Sequence, residues 1–135
     1  MTAKSTGFTN GCYDILHIGH IHLLNYCAQR CDYLIVGIDS DEMVRSSKGE
    51  DRPYNPAESR KEFLENIKAV NEVFIFSSHH ELEEKIKSLN PDLMVVGSDY
   101  KERHVVGSQF AKKLEFFEIR DGYSTTKAIQ NLSYR

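Results

Sequence analysis

The chain has 135 residues, 40% apolar and 27% charged, which suits one compact domain over 1–135 whose core needs no disulfide or metal staple. A formal charge of −3 argues against a general nucleic-acid or membrane-surface binder, so any anion site must be local. An odd set of cysteines (Cys12, Cys27, Cys31) with no secretory leader at MTAKSTGF points to reduced thiols in a cytoplasmic protein, and no apolar run approaches the roughly 20 residues of a membrane span.

The first expected element is a strand at STGFTN, where Phe8 is the only large apolar residue and the alternation of elements supplies the rest of the argument. IGHIHLLNYCAQR then places Ile18, Ile21, Leu24 and Ala28 near one side of a helix, with Cys27 and Cys31 one turn apart as packing residues. DYLIVGID (32–39) reads as a strand covered on both faces. RSSKGEDRPYNP (45–56) reads as one long polar loop, a kind of segment that often carries function. Asn55 ahead of Pro56 at a first-turn position opens a helix with Phe63, Leu64, Ile67 and Val70 inward. EVFIF (72–76), a helix carrying Leu82, Ile86 and Leu89, DLMVV (92–96) and EFFEI (115–119) follow, and Ser124 is a good N-cap for a last helix. The order βαβαβ implies an α/β fold with a mostly parallel sheet and helices on both faces.

One stretch, TNGCYDILHIGH (9–20), lies where the first strand gives way to the first helix. Ligands of open α/β sheets sit beyond the carboxyl ends of the strands, where strand order reverses. Gly11 permits a tight turn, and bare N–H groups at the helix start would face an anion. His17 and His20, three apart, project to neighbouring positions on one side, and Gly19 keeps the space between them open. Such a pair suits a phosphate better than a metal, since zinc pairs on helices favour i, i+4 spacing and a further ligand. The alternative is two solvated surface histidines.

GCYDILHIGHIHLL resembles the signature of nucleotidyltransferases with an H-x-G-H motif in a Rossmann-like domain, among them the cytidylyltransferases for glycerol 3-phosphate, choline phosphate and ethanolamine phosphate. KGEDRPYNPAESR, GSDY and DGYSTTKAI fall in the order that family shows. Arg52-Pro53, Asn55-Pro56, Arg60, Asp99-Tyr100-Lys101, Val106-Gly107 and Asp121-Gly122-Tyr123-Ser124-Thr125-Thr126 make the likeness greatest to the adenylyltransferase domain of ADP-heptose synthesis. The glycerol-3-phosphate enzymes look similar at both ends and less so across 52–60 and 97–107.

The resemblance implies a three-layer Rossmann-like fold with a five-stranded parallel sheet. It implies attack by a sugar or polyol phosphate on the α-phosphorus of ATP, or of CTP in the sibling reading, with release of pyrophosphate. An acceptor phosphate is already anionic, so the site must align two polyanions and stabilise charge rather than supply a base. His17 and His20 are the expected donors, and Lys48 on the polar loop is a third catalytic candidate or merely a solvated lysine. The backbone at Gly11, Cys12 and Tyr13 is expected near the nucleotide, while Asp14 either contacts it or braces the turn. Arg60 resembles the family's arginine near the phosphates; its alternative is a surface ion pair with Glu58 or Glu62.

Gly97, Ser98, Asp99 and Tyr100 are candidates for the base or acceptor pocket, although Asp99 suits a backbone turn equally well. Ser124, Thr125 and Thr126 are expected at the β- and γ-phosphates. Arg120 is also a nucleotide-binding candidate, though out of register with the arginine of the glycerol-3-phosphate enzymes. His22, His80 and His104 read as surface residues, as does His79, with His79 or His80 within reach of the acceptor. Mg²⁺ would travel with the triphosphate, no resident metal site is expected, and relatives of this kind are commonly homodimers. A kinase, which often shares the polypeptide, would have to act separately. Competing readings are a nucleotide-binding module without activity, an archaeal-type FAD synthetase, and a thiol redox or metal protein.

Overall fold

Continuous apolar runs form the central strands, since a strand covered on both faces has no solvent side on which to place polar residues. The computed structural model describes residues 4–98 and 101–118. It contains β1 (Thr6–Gly11), α1 (Ile18–Gln29), β2 (Tyr33–Asp39), α2 (Asp41–Lys48), α3 (Ala57–Glu65), β3 (Glu72–Phe76), α4 (His79–Leu89), β4 (Leu93–Gly97), a 3₁₀ turn (Ser108–Phe110) and β5 (Leu114–Phe117). All strand pairs are parallel in the order β3-β2-β1-β4-β5, so strand order reverses between β1 and β4. This is the expected Rossmann-like α/β architecture.

Two apolar layers flank the sheet. On one face Leu23, Leu24 and Cys27 of α1 and Leu64 of α3 pack on Leu34, Val36 and Ile38 of β2. On the other, Leu82 and Ile86 of α4 pack on Phe8, Ile35, Phe76, Met94 and Val96, with Met43 of α2 alongside. Each fully buried Leu or Phe contributes roughly 1.5–3 kcal/mol. The described helices include none long and apolar enough to cross a membrane.

Several expected details are corrected. The buried stripe of α1 runs through Leu23, Leu24 and Cys27, while Ile18 is 46% exposed, because the helix is turned about its axis relative to the expected face. The stretch 45–56 is not all loop: its first four residues end α2, a helix capped by Ser40 and anchored by one buried residue, Val44. Pro56 is the N-cap of α3 rather than its first residue, and Phe63 faces outward. Asp99, Tyr100, Arg120, Ser124, Thr125 and Thr126 lie outside the described residues, as does the expected last helix.

Candidate active site

The turn after β1 is built around a buried tyrosine. Tyr13 adopts a left-handed conformation (φ 55°) that drives its ring inward to 4% exposure. A Cβ on Gly11 would lie 3.2 Å from that ring. Gly11 thus makes room for Tyr13, and the turn's unusual backbone belongs to the tyrosine rather than to the glycine. The ring lies 5.0 Å from that of His20 and supports it from below.

Asp14 is fully buried. Its carboxylate accepts from the backbone N–H of Tyr54, from that of Asn55 (3.1 Å) and from Asn55 Nδ2 (2.9 Å). Arg52 Nη2 donates to its carbonyl at 2.9 Å. Of the two roles open to Asp14, these contacts favour bracing: it ties the turn to residues 52–55.

His17 is the N-cap of α1 and His20 its third residue, and their rings stack at 3.9 Å. The Gly19 N–H donates to His17 Nδ1 at 3.1 Å, and the His17 N–H donates to His20 Nδ1 at 3.1 Å. The helix start therefore does not present these N–H groups to a ligand, as the sequence led us to expect; the imidazoles consume them. A neutral imidazole that accepts at Nδ1 carries its proton at Nε2. Both rings are consequently Nε2–H donors, polarised by backbone groups at the positive end of a helix. Burial lowers the pKa of His17. It pushes His20 down to about 3, with His17 and Lys48 adding to the shift, so the free pair is neutral near pH 7.

Arg60 is not the surface ion pair of its alternative reading. Its side chain is fully buried, and its ion-pair partner is Asp41 at 2.8 Å, not Glu58 or Glu62. Nε donates to the Asn55 carbonyl (2.9 Å), and Nη1 to the carbonyls of Cys12 (3.0 Å) and Asp39 (2.8 Å). Asp41 also accepts the Ala57 N–H at 2.8 Å. Arg60 stands behind the site, tying the β1 turn, the end of β2 and the start of α3 together.

Lys48 ends α2 and is exposed, followed by Gly49 at φ 107°, a conformation that glycine adopts without strain. Its charge acts on Cys12, His20 and Asp39, which places it over the same corner. Burial raises the Cys12 thiol, opposed by Lys48 and Arg60. Asp39, at the carboxyl end of β2, is likewise raised by burial, against the pull of Arg60, Lys48 and His79. Sequence reading missed Asp39; the only signal was its position at a strand end. Gly19 is buried in the first turn of α1, and Gly97 ends β4 across the crevice from β1.

Among the described residues no group of three or more His, Cys, Asp or Glu could hold a metal. The nearby carboxylates of Asp14 and Asp41 already accept hydrogen bonds from the protein. Beside the turn, Ile15, Leu16, Asn55, Glu62, Phe63 and Asn66 line an open cleft of about 620 Å³.

The cytidylyltransferase-like family model matches residues 8–131. "Bifunctional protein HldE" of a Nitratiruptor species is 43% identical over 129 residues, covering 96% of this chain and 28% of that protein. The protein of the same name from Sulfurimonas denitrificans is 43% identical over 131 residues, covering 97% and 27%. The chain thus spans little more than a quarter of the curated relatives it matches. The crystal structure of the lipopolysaccharide core biosynthesis protein from Thermoplasma volcanium superposes with a TM-score of 0.70 at 22% identity, covering 85% of this chain and 98% of that one. That likeness establishes the fold alone.

Proposed function

We infer the reaction from one premise: this chain belongs to the cytidylyltransferase-like family. It is a nucleotidyltransferase, and the reaction we propose joins the nucleoside monophosphate of ATP to a heptose 1-phosphate, D-glycero-D-manno-heptose 1-phosphate being our choice, with release of pyrophosphate. The resemblance at residues 52–60 and the relatives named HldE support that acceptor.

The observation that carries the reading is the pair of imidazoles whose Nδ1 atoms are both occupied by backbone N–H groups. Two neutral Nε2–H donors then meet the charge that builds on the α-phosphate oxygens as the acceptor oxygen enters and pyrophosphate leaves. One such preorganised donor is worth roughly 10²–10³ in rate. With Nδ1 occupied and Nε2 protonated, neither imidazole serves as a base, and an anionic acceptor requires no deprotonation. Lys48, on its glycine joint, adds positive charge over the phosphates. Asp14 and Arg60 keep the turn in place. Mg²⁺ enters with the triphosphate and neutralises the leaving pyrophosphate.

We further propose a homodimer and a cytoplasmic setting. Exposed Ile18 (46%), Tyr54 (52%) and Phe63 (48%) support an apolar contact surface. The test is pyrophosphate release with heptose 1-phosphate, other sugar 1-phosphates and glycerol 3-phosphate, each against ATP, CTP and GTP. Release with ATP and the heptose is expected. Preference for CTP and glycerol 3-phosphate would select the sibling cytidylyltransferase. Tight triphosphate binding without release from any pair would overturn the enzyme and leave a binding module.

A further inference from the structure

Strand β2 ends on a carboxylate that nucleotidyl transfer, as described, does not use. Side chains two and four apart on a strand share a face. Asp39 therefore looks to the same side as Ile35, towards α4. On β1 Phe8 faces that side, so Asn10 does too, and Asn10 pairs with Gly37 of β2. Asn10 and Asp39 thus stand diagonally at adjacent strand ends, both half-buried. Among the described residues neither side chain has a hydrogen-bond partner. His79, the first residue of α4, lies within electrostatic reach of Asp39, as do Lys48 and Arg60. Arg60 is spent on carbonyls, that of Asp39 included, and on Asp41, which among the described residues leaves the Asp39 carboxylate open to accept from a ligand.

A carboxylate repels phosphate and accepts hydrogen bonds from hydroxyls, its two oxygens spanning a vicinal pair. Strand order reverses between β1 and β4, and the crevice at such a point is where open α/β sheets hold ligands, so the proposed reaction puts the nucleoside there. The end of β2 lies on the opposite flank of the β1 turn, the side left for the acceptor. We propose that Asp39, flanked by Asn10 and His79, binds hydroxyl groups on the acceptor's carbon skeleton and so selects a polyhydroxylated phosphate over a hydroxyl-poor one. The inference rests on the transfer reaction proposed above and adds a specificity residue to it.

The experiment uses the full chain with Asp39→Ala and Asp39→Asn, their folding checked by Tm. Pyrophosphate release is followed with heptose 1-phosphate, with hydroxyl-free ethyl phosphate and with choline phosphate. Losing a charge-assisted hydrogen bond raises KM for the sugar phosphate about tenfold, with KM for ATP changed less than about twofold. Discrimination between sugar phosphate and ethyl phosphate falls by the same factor. Should Asp39→Ala fail to fold, the near-isosteric Asp39→Asn carries the same comparison. Unaltered discrimination, a rise confined to KM for ATP (a ribose contact), or an Asp39-dependent preference for choline phosphate overturns the proposal. Absence of turnover in the unmodified chain counts against the transfer reaction itself; turnover with kinetically silent Asp39 variants counts against this inference alone.

Discussion

A histidine ring has two nitrogens, and at His17 and His20 the helix N-terminus has already taken one of each. Replacing either with Ala removes one Nε2–H donor from the phosphates. We expect kcat to fall roughly 10²–10³-fold in a pyrophosphate assay, with the fold retained by circular dichroism. Burial of neutral His20 also sets a pH dependence of stability. Its folded pKa of about 3 lies below the unfolded value of 6.5, so the unfolded chain takes up the proton first. This contribution is complete above pH 6.5 and is lost as pH falls from there towards about 3. Melting curves between about pH 7.5 and 4.5 should therefore drop less steeply for His20→Gln than for the unmodified chain. The pair was legible in the sequence because its spacing is local. Its tautomer was not, because that depends on which backbone N–H groups the rings capture.

At the scale of elements, the decisive connection is the buried guanidinium between α3, the β1 turn and β2. Arg60→Ala strands Asp41 and the carbonyls of Cys12, Asp39 and Asn55. A loss of roughly 3–5 kcal/mol is expected, read as a fall in Tm of about 10 °C or more. Arg60→Lys restores charge but not the fork and should recover only part of it. Sequence reading put Arg60 near the phosphates, with a surface ion pair as the alternative, and could not see its bracing role because its partners are 5 to 48 positions away. Helix α2 was hidden for a related reason: DEMVRSSK buries a single residue, too few for periodicity to register. β1 was faint because it is built of small residues; a Cβ on Gly7 would sit 2.5 Å from Cys31 Sγ. The other four strands announced themselves through unbroken apolar runs.

At the scale of the whole molecule, alternation made the parallel α/β sheet legible, whereas its order β3-β2-β1-β4-β5, which brings the β1 turn to the crevice, depends on which strands pair and had no local signal. The surface was less legible, since the outward turn of Phe63 depends on how α3 docks. If the proposed homodimer uses the cleft lined by Ile15, Leu16 and Phe63, Phe63→Glu should yield monomers in light scattering with Tm nearly unchanged. The same mass in both samples would remove that cleft as the interface. The wall behind the site also has a practical meaning for redesign. Because one concealed cation holds the chassis rigid from within, the tooling at its rim, Asn10 and Asp39, can be exchanged for new acceptors without retuning the machinery that handles phosphorus.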